Sequence, residues 1–81
     1  MKYRKKPVIV EAIQWNGSNM SEVLKFTKRH LISVDNDGLI IQTDSGTALV
    51  SLGDMIIRGT QNEIYPCKPD IFAEIYEHVD E

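Results

Sequence analysis

Chain-reversing residues recur too often in the middle of this sequence for a long helix to fit there. Between Leu31 and Tyr65 every apolar run is short, and each is cut by a cluster suited to a turn: Asp35-Asn36-Asp37-Gly38, Asp44-Ser45-Gly46, Leu52-Gly53-Asp54 and Gly59-Thr60-Gln61-Asn62. Aliphatic and β-branched runs separated in this way read as strands joined by hairpins. Asp37-Gly38 can supply the positive φ angles of a tight reversal. Gly53-Asp54 suits a turn in which glycine takes the unusual φ and the aspartate accepts from nearby backbone donors. The spacing predicts strands over 31–34, 39–43, 47–51, 55–58 and 63–65, forming an antiparallel meander.

The flanks complete the pattern. Residues 7–15 are rich in β-branched side chains, and both alternating sets, Val8/Val10/Ala12 and Ile9/Ile13/Trp15, are apolar enough to be covered, which predicts a strand inside a sheet. Glu11 interrupts the second set and marks a bulge, an edge position or a functional carboxylate. Asn16-Gly17-Ser18-Asn19 then hands over to a helix over roughly 21–30, with Ser18 or Asn19 as its cap. Met20, Val23, Leu24, Phe26, Thr27 and Leu31 share one arc of that helix, and Glu22, Lys25, Lys28 and Arg29 the other. A second helix starts near Asp70, its cap, with Ile71, Phe72, Ile75, Tyr76 and Val79 on one arc and Glu74, Glu77 and His78 opposite. The expected fold class is α+β: a two-layer arrangement of an antiparallel β-meander and two amphipathic helices, in the order β-α-β-β-β-β-β-α. The last helix packs on that layer or on a second copy of the protein.

A chain of 81 residues supports a single compact domain over 1–81 with one thin core. It buries about 60–65% of its unfolded surface and has a stability of about 4–12 kcal/mol. Apolar residues at 42% and charged residues at 26% place it among globular proteins and argue against disorder, fibres and membrane spans. Val8-Ile9-Val10 is too short for a signal-peptide core or a bilayer span, so a cytoplasmic location in a host cell is expected. Cys67 stands alone and cannot form an internal disulfide. Asn16-Gly17-Ser18 and Asn19-Met20-Ser21 match the glycosylation pattern, but without a secretory signal they read as turn and cap residues.

Charge is unevenly placed. Lys2, Arg4, Lys5 and Lys6 supply four of the nine basic residues, whereas Asp70, Glu74, Glu77, Asp80 and Glu81 crowd the other end. Two readings compete: the two ends as complementary fields, each exposed pair contributing little, or the basic run as a phosphate-binding patch for nucleic acid. With five basic and twelve acidic residues in the rest of the chain, nucleic acid is a poor partner.

Reactive constellations are sparse. A thiol nucleophile needs a lowered pKa and usually a histidine base, and only Cys67 with His30 or His78 has those residue types. Cys67 lies between Pro66 and Pro69, where a small semi-buried residue is commonly wanted. The same three residues lack paired zinc-ligand spacing. Ser33, Asp35, Asp37, Gly38 and Asp44 partly overlay a calcium loop, yet Ser33 stands where Asp is expected, Asp44 where a bidentate Glu is expected, and the flanks read as strands. No glycine-rich phosphate loop is present, and no cofactor is expected.

The stretch from Leu49 to Gly59, with Gly53-Asp54 and Arg58-Gly59, continues to Ile64-Tyr65-Pro66-Cys67-Lys68-Pro69-Asp70-Ile71-Phe72 and Tyr76. Together with Met1-Lys2-Tyr3-Arg4-Lys5-Lys6-Pro7-Val8 and Glu11-Ala12-Ile13-Gln14-Trp15, it resembles a family of small phage and prophage proteins known by a PGDYG-type motif. The chain departs from the motif at Leu52, where proline is usual, and at Met55, where tyrosine is usual. The resemblance implies a non-secreted, phage-encoded protein and no particular mechanism.

Arg58, Tyr65, Lys68 and Trp15 are the candidate ligand-binding residues: an arginine ending an apolar strand beside aromatic and basic groups can form an anion-binding or protein-binding patch. A structural pairing of Arg58 with a carboxylate such as Asp70 competes with that reading. The expected function is a non-enzymatic binding module, a phage accessory protein that occupies a host protein, a phage partner or a small anionic ligand, as a homo-oligomer. The alternatives are a nucleic-acid-associated factor using the basic amino terminus and a Cys67-dependent enzyme.

Overall fold

The computed structural model describes residues 1–3, 8–35 and 38–79. It contains strand β1 (Glu11–Gln14), helix α1 (Met20–Thr27) continued by a 3₁₀ turn (Lys28–His30), and strands β2 (Leu31–Asp35), β3 (Gly38–Thr43) and β4 (Gly46–Val50). Strands β5 (Met55–Arg58) and β6 (Ile64–Cys67) and helix α2 (Pro69–Ile75) follow. The α+β class and element order are as expected. The six strands, however, divide between two antiparallel three-stranded sheets, β2-β3-β4 and β1-β5-β6.

The division occurs at the Gly53-Asp54 turn. Asp54 N–H donates to Ser51 C=O at 3.0 Å, and Gly53 sits at φ +91°, a conformation that side chains disfavour. The turn then bonds to the end of β1 rather than back to β4: Gly53 N–H donates to Trp15 C=O at 2.7 Å and Trp15 N–H to Asp54 C=O at 2.9 Å. Gln14 Nε2 adds a bond to Gly53 C=O at 2.9 Å. This steers β5 against β1, with Glu11 opposite Arg58 and Gln14 opposite Met55.

The first strand is therefore shorter than the expected 7–15 and lies at an edge. Its partner β5 has only four residues and then turns away, Gly59 N–H closing on Glu63 C=O, so among the described residues no strand pairs with Val8 or Ile9 and both are exposed. Glu11 takes the edge position that was one of its expected readings.

Three surfaces converge on one core. Ile13, Ile56 and Ile64 face inward from the β1-β5-β6 sheet, Leu39, Ile41, Ala48 and Val50 from the β2-β3-β4 sheet, and Met20, Val23 and Phe26 from α1. Val23 and Thr27 are fully buried on α1, the Thr27 hydroxyl donating to Val23 C=O at 2.8 Å, while Leu24 is exposed. That stripe is narrower than the expected arc. Asn19 caps α1 by position, but its side chain ties the preceding turn to β1, donating to Gln14 C=O at 2.7 Å.

Helix α2 ends at Ile75, short of Val79, because little stabilises its last turn: none of its residues is buried, no basic residue lies there, and Glu74 and Glu77 oppose the helix dipole. Of the residues overlaid on a calcium loop, Ser33 and Asp35 lie on β2 and Gly38 on β3, with Asp35 paired with Gly38, and Asp44 lies in the turn between β3 and β4. Asn36 and Asp37, the centre of the expected turn, lie outside the described residues. Among the described residues no helix is long and apolar enough to cross a membrane.

Candidate anion-binding cleft

Three chain segments end side by side at one end of the β1-β5-β6 sheet. Helix α1 terminates as Lys28 N–H bonds Leu24 C=O, with Lys28 at φ +53° and ψ −121°. Strand β5 ends at Arg58. The hairpin to β6 is closed by Gly59 N–H to Glu63 C=O at 2.9 Å and Asn62 N–H to Gly59 C=O at 3.1 Å, with Asn62 at φ +63°. Between them lies a cavity of about 170 Å³ lined by Phe26, Thr27, Lys28, His30, Arg58, Asn62 and Ile64. Pockets for drug-sized ligands hold about 300–1,000 Å³, so this one accepts a single small group.

Arg58 organises the cleft. Its Nη2 lies 3.1 Å from Glu11 Oε2 and its Nε donates to Glu11 Oε1 at 3.3 Å, the cross-strand neighbour in the β1–β5 register. Nη1 donates to Phe26 C=O at 2.9 Å, and the guanidinium lies over the Phe26 ring, 4.4 Å from its centroid. The Phe26 carbonyl belongs to the last turn of α1, whose acceptors lack intrahelical partners, so Arg58 acts as a carboxy-terminal cap. Its carboxylate partner is Glu11 rather than Asp70. Among the described residues these contacts use three of the five guanidinium N–H donors.

Lys28 differs. Among the described residues its ammonium makes no hydrogen bond or ion pair, and its backbone occupies a region that side-chain-bearing residues enter at a cost of about 1–3 kcal/mol. Lys28 and Asn62 are the two positive-φ residues other than glycine among the described residues, and both line this cleft. Asn62 is accounted for by its turn, since a left-handed residue commonly follows a type I turn in a hairpin. Lys28 has no such account. The cleft's field is modest, because Glu11 offsets Arg58 and the end of α1 contributes about half a negative charge.

The other sequence-derived candidates do not join Arg58. Trp15 is 7% exposed and belongs to the core. Lys68 Nζ lies 3.1 and 3.2 Å from the two oxygens of Asp54, which is 4% exposed and also accepts from Ser51 N–H at 2.9 Å. Tyr65 alternates with Ile64 and faces the opposite side of its sheet, where its hydroxyl meets that of Tyr76 at 3.5 Å. The Tyr76 hydroxyl, then burial, push the Tyr65 phenol from its ordinary value up to about 12. Tyr76 in turn stacks on Phe72 at 5.0 Å, joining α2 to that face.

The partners of Arg58 in the cleft, Phe26, Lys28, His30 and Asn62, escaped sequence reasoning. Lys28 was placed on the solvent face of a regular helix, and nothing in its residue type announces a helix end. Asn62 carried the only signal, an asparagine in a turn cluster. Cys67 lies at the far end of β6 from Ile64 and His30, its thiol donating to Lys68 C=O at 3.5 Å. Among the described residues no three His, Cys, Asp or Glu side chains gather as a metal site.

No family model, curated protein or solved structure matches this chain. The fold defines a small α+β protein of two helices and two antiparallel sheets.

Proposed function

We propose that this protein is a non-enzymatic binding module whose cleft between α1 and the β5–β6 hairpin holds a small anionic group, borne by a free ligand or by a partner protein. The observation that carries the reading is Lys28: on a strained backbone, its ammonium has no partner among the described residues, and it lies beside an arginine whose contacts with those residues use three of its five N–H donors. Strain of this kind persists only where surrounding structure holds it, and it gathers at ligand clamps. The PGDYG-type resemblance supports a phage accessory role in the host cytoplasm.

With one lysine and an arginine already paired with Glu11, affinity is expected in the millimolar range, about −4 kcal/mol. The test is a titration of backbone amide NMR shifts with inorganic phosphate at low ionic strength. Saturable shifts at residues 26–30 and 58–62, lost in Lys28→Gln, are expected. Shifts elsewhere, or shifts that survive Lys28→Gln, would overturn the assignment.

A further inference from the structure

Of the residues lining the cleft, His30 alone has a side chain of the kind that gains and loses charge between about pH 5 and pH 8. It closes the 3₁₀ turn Lys28–His30, is half-buried, and borders the same cavity as Lys28 and Arg58. Among the described residues its imidazole makes no hydrogen bond or ion pair. The charges around it are few. Lys28 brings one positive charge, and Arg58 is offset by Glu11 at 3.1 Å. The end of α1 adds about half a negative charge. Glu22 and Lys25 of α1 do not line the cavity, and the Glu63 carboxylate lies over Gly59, where a Cβ would meet it. Strand β3, which packs on the turn, carries no titratable side chain. The cleft therefore holds about half a net positive charge with the imidazole neutral and about one and a half with it protonated.

Building on the cleft reading above, we infer that the cleft takes up its anion together with a proton on His30, and so selects a doubly charged oxyanion over a singly charged one. The proton comes from solvent, and no bond of the anion is broken. Its charge acts in proportion to the ligand's own. Across about 6 Å, even at the dielectric of water, it favours a dianion about tenfold and a monoanion about threefold. Linkage is reciprocal, so the bound anion also draws the proton onto the ring.

Titration of the full chain with sulfate, followed by backbone amide shifts at low ionic strength, tests this at about pH 6 and about pH 8, values that bracket the ordinary titration of an imidazole. Sulfate keeps two charges at both, and formate serves as the singly charged comparison. Sulfate should bind about fivefold more tightly at the lower pH, and formate about twofold. His30→Gln should bring both ratios close to one, whereas His78→Gln, outside the cleft, should leave them as they are. Trp15 fluorescence checks that each variant is folded. In the chain without substitutions, sulfate at neutral pH should move the His30 ring signals toward their protonated positions and leave those of His78 in place, a readout that needs no variant. Sulfate binding equal at both pH values, a pH dependence that survives His30→Gln, or equal gains for sulfate and formate overturns the inference and leaves the cleft reading standing. Absence of saturable shifts at residues 26–30 and 58–62 at either pH overturns both.

Discussion

Replacing Asp54 with alanine separates two contributions that meet at one carboxylate. Asp54 is 4% exposed, accepts from Ser51 N–H at 2.9 Å and pairs with Lys68 Nζ at 3.1 Å. A hydrogen bond from a backbone donor to a charged acceptor contributes about 1.5–3 kcal/mol. The Lys68 side chain is 59% exposed, so its ammonium regains water when the partner is removed, and that pair contributes about 0–1 kcal/mol. Truncating Lys68 likewise admits water to the carboxylate, which limits the cost of leaving a buried charge behind. Asp54→Ala should therefore cost about 2–3 kcal/mol and Lys68→Ala about 1 kcal/mol or less, with a coupling no larger than the smaller of the two. Urea unfolding at neutral pH reports both, followed by Trp15, the single tryptophan and a core residue. The midpoints should shift in that ratio with unchanged slope. A Lys68→Ala loss equal to that of Asp54→Ala would refute the reasoning, since the ion pair and not the backbone bond would then hold the turn.

Three further outcomes follow from named contacts. Gly38→Ala should cost at least about 2 kcal/mol in the same urea assay, because Gly38 sits at φ +149° and a Cβ there would run into the Val50 carbonyl oxygen. Lys28→Gly relieves backbone strain of about 1–3 kcal/mol against about 1 kcal/mol of added chain freedom, so it should raise the urea midpoint by about 1 kcal/mol of stability while abolishing the phosphate-induced shifts. For Tyr65 the folded-state value of about 12 exceeds the ordinary 10.0, so the unfolded chain releases its proton first. The stability this group contributes is complete below the unfolded value and is lost as pH rises through the folded one. Absorbance at tyrosinate wavelengths should show a step near that folded value, absent in Tyr65→Phe and moved downward in Tyr76→Phe.

Local chemistry made most elements legible. The turn clusters located β2 to β6 within a residue or two, and the apolar spacing of Met20, Val23 and Thr27 located α1. Pairing was less legible: nothing in residues 7–15 says that their partner is Met55–Arg58, because the selection is made by the Gly53-Asp54 turn bonding to Trp15. The short α2 reflects missing tertiary support, which no periodicity can reveal. Of the four residues chosen as a site, Arg58 alone lines the cleft. Trp15 shows why: an aromatic beside a turn looks like a ligand contact, yet this one is 7% exposed and part of the core.

The pairing of β1 with β5 also sets an order of events during synthesis. Glu11 and Arg58 are 47 positions apart, so the first strand leaves the ribosome long before its neighbour exists. The β2-β3-β4 hairpins, by contrast, close over short loops at little entropic cost. A nascent chain halted after Val50 should protect amides of β3 against exchange while those of Glu11–Gln14 remain open, and release beyond Arg58 should protect both.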